Sequence, residues 1–371
     1  MNLDLIRKEI DDIDKSIVEL LEKRFDIVEL VAEFKRKSGK EVKDSKREAQ
    51  VIQKNIELLG NPELSPLIER VFTVIFEESR NMQKKLLNID DESKRKIIGY
   101  QGTEGSYSQE AAINFFSEDN AMKSYKEFED VFKAIESGEI NYGVLPIENS
   151  STGSINENFD LLNKYGLYIV GEYFLKVDHN LIGIDGTDIE DIETVYSHPQ
   201  ALSQCRDFLN AYEDWNKINY INTAKSVEYV KNQNDKSMVA IGSERAAKIY
   251  DMKIIRKNIS DIDNNTTRFA IIGSEIENKN QNDKISVVLT TMHKSGSLYK
   301  VIECFSRYDI NMLKIESRPI RGKKWEYFFF VDFEGNIMDD KIKEALREIK
   351  ENSIYFKVIG NYLKGQKEDE K

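Results

Sequence analysis

Between Leu3 and Phe34 the apolar residues recur at alternating intervals of three and four: Leu3, Ile6, Ile10, Ile13, Ile17, Leu20, Ile27, Val31 and Phe34, with Arg24 filling the remaining place. That interval is the seam of a helix packed against other helices. The run is roughly 34 residues, about 50 Å of helix, and such a stripe needs another helix to bury it, which points to dimerisation. Arg24 breaks the chemistry of the stripe. A guanidinium facing a helical core is costly unless an anion meets it. Either Arg24 snorkels to solvent, or an anionic ligand binds inside the bundle.

Other polar residues bear on that choice. Lys35 lies eleven residues after Arg24, about 20° away around the helix, so both point the same way. Arg7 lies seventeen residues before Arg24, roughly 100° off that face, and so points elsewhere, towards a partner chain. Beyond the break at Ser38-Gly39, Asp44, Arg47 and Glu48 share one face of a second helix, and Ser79 and Gln83 sit one turn apart on a third. A solvated bundle would explain the charge runs but not Arg24 on the seam. The segment resembles the all-helical chorismate mutase family. Arg7, Arg24, Lys35, Asp44, Arg47, Glu48, Ser79 and Gln83 each fall on that family's active-site positions, in register. The resemblance implies a dimeric helical domain in which Arg7 crosses into the other subunit's site. It also implies roles: Arg7 and Arg24 clamp carboxylates, Lys35 and Gln83 meet the breaking ether oxygen, and Asp44 and Glu48 bind the substrate hydroxyl and orient Arg47.

The chain has 371 residues and a net charge of −12. The length allows two or three domains. The charge argues against nucleic acid and anionic membranes as partners, so anionic substrates must be captured by local basic groups. Cys205 and Cys304 form no ligand spacing and suggest reduced thiols in a cytoplasmic protein. No signal peptide or membrane-spanning run is evident. With only His179, His198 and His293 among histidines, no metal site is expected.

Residues 1–87 read as helix, and 88–96 (NIDDESKRK) as a linker. From Ile97 the texture becomes α/β, with strand ends feeding helix starts. Ser106/Gln109, Ser154/Glu157 and Ser197/Gln200 read as capping boxes, and Ser243 as an N-cap. A second polar break, 277–284 (ENKNQNDK), precedes strands and helices in the order β-α-β-β-α-β, the split ferredoxin-like arrangement.

Gly, Ser, Thr and Asn concentrate at several of these junctions, where helix N-termini suit carboxylates or phosphates. No nucleotide-binding glycine fingerprint is present, so phosphates lose ground. The stretches GSYS (105–108), PIENSSTG (146–153), SHPQALSQC (197–205) and TTRF (266–269) together resemble prephenate dehydratase. The family has a two-lobed α/β domain like periplasmic solute-binding proteins. By this match Thr267 is the essential threonine, and Ser106, Asn149, Ser150, Ser151, Arg268 and Phe269 fall on substrate-binding positions. Glu148 is the motif carboxyl able to supply a proton if burial raises its pKa.

The last unit resembles the small ligand-sensing domain called ACT. Gly296, Ser297 and Leu298 at a helix start, and Glu316, Ser317, Arg318 and Pro319 at a strand end, match segments that bind L-phenylalanine in the dehydratase family. One departure is Ser297, where that family usually carries alanine. The resemblances divide the chain into 1–90 (mutase), 96–274 (dehydratase) and 285–363 (ACT). They imply conversion of chorismate to prephenate and of prephenate to phenylpyruvate without a cofactor, inhibition by L-phenylalanine, and a homodimer or homotetramer. Arogenate as the second substrate, or a mutase fused to a ligand sensor, are the alternatives.

Overall fold

The computed structural model describes residues 3–38, 45–86, 95–320, 322–323 and 325–365. It contains two compact units, Met1–Lys94 and Arg95–Lys371. Among the described residues no helix is long and apolar enough to cross a membrane.

The first unit is helical: α1 (Leu3–Ser38), α2 (Ser45–Glu57) and α3 (Ser65–Leu86), with a 3-10 turn at Pro62–Leu64. Asn61 caps that turn by accepting from the Glu63 amide, and proline starts it where no amide hydrogen is needed. The unbroken 36-residue α1 follows the predicted period, and a single chain leaves most of its apolar stripe uncovered. Among the described residues its buried positions are Val28 and Ala32, in line with Arg24 at steps of four. Ile10, Ile13, Ile17, Leu20, Ile27 and Phe34 remain 48–65% exposed. The reason is length. The 22 residues of α3 span about 33 Å, against about 54 Å for α1, so one chain cannot cover the stripe.

The second unit opens with β1 (Ile97–Gln101), α4 (Tyr107–Phe116), β2 (Ala121–Tyr125), α5 (Phe128–Glu136), β3 (Tyr142–Asn149), β4 (Gly153–Ser154), α6 (Asn156–Tyr165) and β5 (Tyr168–Lys176). A second lobe follows: β6 (Asn180–Gly183), β7 (Thr194–Ser197), α7 (Pro199–Gln204), α8 (Arg206–Asn210), β8 (Asn216–Asn219), α9 (Thr223–Gln233), β9 (Met238–Gly242), α10 (Glu244–Ile249) and β10 (Lys253–Arg256). The chain then returns through β11 (Thr266–Gly273). It ends with β12 (Lys284–Thr290), α11 (Ser297–Arg307), β13 (Met312–Pro319), β14 (Tyr327–Glu334), α12 (Asp340–Glu351) and β15 (Tyr355–Tyr362).

The strands form two sheets. The smaller, in the order β10-β6-β9-β7-β8, is the second lobe. The larger runs β13-β14-β12-β15-β5-β11-β3-β1-β2, with β4 paired to β3. Its first four strands have the order expected of a ferredoxin-like βαββαβ unit. The surprise is continuity, because β15 lies beside β5 and joins that unit to the first lobe. One face of β11 packs Phe269 and Ile271 against Ala111 and Ala112 of α4. The other packs Ala270 and Ile272 in a core shared with α5, α6 and residues Val288, Phe330, Ile359 and Tyr362 of the terminal unit.

The stretch 277–284, read as a polar break, is partly buried. Asn282 donates to the carbonyls of Glu277 and Asn361, and Lys284 is inside. Two capping assignments also change. Ser154 does not cap α6, whose N-cap residue is Ile155. Ser197 donates to the Ile241 carbonyl, leaving His198 to cap α7 through Nδ1. Ser106 and Ser243 cap α4 and α10 as the pattern predicts.

Candidate active sites

In the helical unit α1 and α3 bring Arg24 to Ser79. Arg24 Nη1 donates to Ser79 Oγ at 2.5 Å, and the guanidinium lies 5.6 Å from the Phe76 ring centroid and 6.0 Å from that of Phe25. Burial lowers its pKa. Gln83 lies one turn beyond Ser79, and its Oε1 is buried without a hydrogen-bond partner. Lys35, three turns along α1, is half-buried. Glu48 was expected beside Arg47 but pairs with Arg80 Nη1 at 2.5 Å, while Arg47 is exposed. Asp44 lies outside the described residues. Arg7 is exposed on the far part of α1, about 25 Å from Arg24 along the axis at 1.5 Å per residue.

In the second unit Thr267 is buried in the middle of the large sheet. It stands opposite Asn149 on β3 and Leu175 on β5. Asn149 Nδ2 donates to Thr267 Oγ1 at 2.9 Å and to Asn265 Oδ1 at 2.7 Å. Asn149 Oδ1 accepts from the backbone amides of Ser151 and Thr152 at 3.0 and 3.1 Å, and from the Ser151 hydroxyl at 2.6 Å. Ser150 is used differently: its hydroxyl accepts from Thr266 N and donates to the Asn264 carbonyl. The second lobe reaches this turn through Gln204 Nε2, which donates to Ser151 Oγ at 2.7 Å. Gln204 Oε1 in turn lies 2.9 Å from His179 Nε2. Burial lowers the pKa of His179, so the imidazole is held towards its neutral form.

Ser106 sits where the β1–α4 turn touches the second lobe. Gly105 has φ +82°, and a Cβ there would come within 3.1 Å of Ala246 Cα. Only glycine allows that approach without displacing α10. Ser106 Oγ accepts weakly from Gln109 N at 3.4 Å.

Arg268 and Phe269 do not join Thr267. Successive strand residues face opposite ways, so Arg268 points through the sheet towards the terminal unit. Its Nε donates to Glu172 at 2.7 Å, its Nη1 lies 2.8 Å from Asp332, and its Nη2 donates to Tyr362 Oη at 3.1 Å. Lys284 completes the cluster at 2.9 Å from Glu172. Phe269 returns to the Thr267 face but is fully packed in the core against α4. Glu148 also lies on the Arg268 side, 2.9 Å from Lys314 Nζ. A carboxyl separated from Thr267 by the sheet is not placed to protonate a group held there. A cavity of about 500 Å³ opens on this Arg268 side, lined by Glu148, Arg268, Lys284, Lys314 and Asp332.

In the terminal unit Gly296, at φ +80°, caps α11 and leads into half-buried Ser297 and Leu298. Leu298 lines a pocket of about 280 Å³ with Met292, Trp325 and Phe329. On β13 the expected regulatory residues split by parity. Ser317 and Pro319 face outward. Glu316 accepts from Ser154 Oγ at 2.7 Å, and Arg318 spans Asp160 of α6 at 3.0 and 3.4 Å.

Residues 6–84 match the chorismate mutase type II family model, 98–277 the prephenate dehydratase model and 286–351 the ACT domain model. The bifunctional chorismate mutase/prephenate dehydratase of Buchnera aphidicola subsp. Acyrthosiphon pisum (strain APS) is 36% identical over 369 residues, covering 96% of this chain and 95% of the relative. The chain belongs to the bifunctional chorismate mutase/prephenate dehydratase family. Among solved structures it is similar to GqqA, described as a novel type of quorum quenching acylase, with TM-score 0.68 and 27% identity over 74% of this chain and 100% of that one. Prephenate dehydratase from Arthrobacter aurescens, solved in complex with L-Phe, shares the fold with TM-score 0.67 and 22% identity, covering 74% and 91% of the two chains.

For a mutase/dehydratase of this family, residue-type reasoning passed over several neighbours of the sites. Gln204 lies within SHPQALSQC and Asn265 directly precedes TTRF, but neither residue type marks a role by itself. Lys284 and Asp332 carried a usable signal: each is a charge beside a run of apolar residues, in KISVVLT and YFFFVDFE. The reasoning that singled out Arg24 applies to them equally. Arg80 had no such signal on a polar helix face.

Proposed function

We propose that chorismate is rearranged where α1 meets α3 and that prephenate loses water and carbon dioxide beside Thr267, with L-phenylalanine acting through the terminal unit. The observation that carries this reading is Arg24. A partly buried guanidinium met by a hydroxyl, and by no carboxylate among the described residues, is a site for an anion. Chorismate is a dicarboxylate, and its rearrangement within one molecule requires no nucleophile. The enzyme holds a compact conformer and stabilises charge growing on the ether oxygen. Arg24 binds one carboxylate, while Lys35 and Gln83 meet the ether oxygen. Gln83 donates with its amide nitrogen turned to the substrate. Glu48, Arg47 and Asp44 serve the hydroxyl side, and Ser79 holds Arg24.

Arg7 cannot reach Arg24 of its own chain along a straight helix. A second copy laid along the exposed stripe of α1 would bring it in while burying Ile10, Ile13 and Ile17, which makes the mutase a dimer. In the second unit Thr267 donates a hydrogen bond to the departing ring hydroxyl. The Asn149–Ser151 turn and Ser106 line the same face, and aromatisation drives the loss of carbon dioxide. L-Phenylalanine, the ligand with which the Arthrobacter aurescens protein was solved, is bound here near Gly296–Leu298.

Purified chain given chorismate alone should release phenylpyruvate. Prephenate accumulating without phenylpyruvate would refute the two-step reading. Lys35→Ala should abolish the first step and spare the second on supplied prephenate. L-Phenylalanine should slow the second step, and rates unchanged at millimolar amino acid would remove the regulatory part.

A further inference from the structure

Asn149 presents an amide whose two ends can be told apart. Its Oδ1 faces the backbone amides of Ser151 and Thr152. Backbone N–H groups only donate, so the atom facing them is the oxygen, whatever the neighbouring hydroxyls do. The nitrogen end therefore faces Asn265 Oδ1 at 2.7 Å and Thr267 Oγ1 at 2.9 Å. An NH₂ group has two hydrogens, and these are its two near acceptors, the Thr266 carbonyl lying farther off at 3.5 Å. Thr267 thus receives a hydrogen bond on its oxygen and keeps its own hydrogen for another acceptor. All three residues are buried, where such bonds strengthen one another.

We propose that Asn265 is a positioning residue for the dehydration: it takes one Asn149 hydrogen, holds the other on Thr267 Oγ1, and so makes Thr267 a donor aimed at the leaving hydroxyl. Without Asn265 the Asn149 amide is held from its oxygen end alone, its nitrogen end is less firmly directed at Thr267 Oγ1, and Thr267 can spend its hydrogen on a neighbour. Donation into the Thr267 oxygen also polarises its O–H, which favours the bond to the departing oxygen.

The inference rests on the reading of Thr267, and the experiment separates the two. Thr267→Ala tests that reading alone, and dehydratase turnover persisting in it would remove the premise. Asn265→Ala tests the inference. Its kcat on supplied prephenate should fall roughly tenfold to a hundredfold, with KM nearly unchanged. Asn265→Asp keeps an acceptor at the same place. Its kcat should stay within about threefold of the parent while KM rises, because a new anion meets a dicarboxylate. Asn149→Asp replaces the donor by an acceptor, captures the Thr267 hydrogen, and should lose at least as much kcat as Asn265→Ala. Parental kcat in Asn265→Ala would overturn the proposal, and so would equal kcat losses in Asn265→Ala and Asn265→Asp. If Asn265→Ala does not fold, Asn149→Asp decides, and parental kcat in that variant overturns the proposal as well.

Discussion

Replacing Asp332 by leucine should destabilise the second unit more than a typical core substitution would. Asp332 and Glu172 carry two negative charges, Arg268 and Lys284 two positive ones, and all four are buried within one connected cluster. Burial alone would raise the pKa of Asp332, but Arg268 and Lys284 hold it below the ordinary carboxylate value. Asp332 Oδ1 also accepts from Ser286 Oγ at 2.6 Å. Removing one member strands a buried positive charge, which costs about 3–5 kcal/mol. For a unit of this size that is a fall of roughly 10 °C in Tm. Arg268→Met added to Asp332→Leu removes the stranded charge and leaves Glu172 paired with Lys284. The double variant should recover most of the loss, to within about 2 kcal/mol of the parent. Denaturant melts of the parent, Asp332→Leu, Arg268→Met and the double variant give the coupling directly. If the double variant is less stable than Asp332→Leu, the charges are not compensating one another and the reasoning fails.

Ile13→Asp with Ile17→Asp should break the partner contact along α1. At about 2–3 kcal/mol per buried isoleucine, dissociation and loss of mutase turnover should appear together at micromolar chain, with dehydratase turnover retained; sedimentation combined with both assays checks this. Asp160→Asn should loosen the Arg318 contact and raise the L-phenylalanine needed for half inhibition severalfold without changing the uninhibited dehydratase rate. An unaltered inhibition curve would mean that β13 does not carry the signal. His179 has a pKa below the ordinary 6.5 because burial disfavours its charged form. The unfolded chain therefore takes up that proton first, so the stability due to neutral His179 is full above pH 6.5 and is lost as pH falls towards the folded-state value. Melts from pH 7 to 5 should show a smaller loss in His179→Gln than in the parent.

How much of this could be read in advance differs by element. The ferredoxin-like order and its strand ends were legible, because alternating apolar residues carry their own period. The length of α1 was legible for the same reason. What covers α1 was not, since a stripe announces that something lies on it and does not say what. Thr267 and Arg268 show a second limit of residue-type reading. A motif treats neighbours as companions, whereas the pleat sends them to opposite faces. Glu148 and Asn149 divide in the same way. Ser154 looked like a cap from its spacing to Glu157, but tertiary partners on β13 claim its hydroxyl. The join between β15 and β5 had no local signature, because a lateral strand contact leaves no period in either strand.

That join has a consequence for how such a chain can be cut. The polar stretch before β12 invites a truncation that would yield a self-standing dehydratase. It would remove Asp332 and Lys284 from around Arg268 and Glu172, and Phe330, Ile359 and Tyr362 from a core the first lobe shares. The remaining piece would keep Thr267 but expose an apolar face and two charges whose companions were discarded. The dehydratase lobe and the sensor are therefore not interchangeable parts. A shortened version would need new residues at 172 and 268 before it could stand alone.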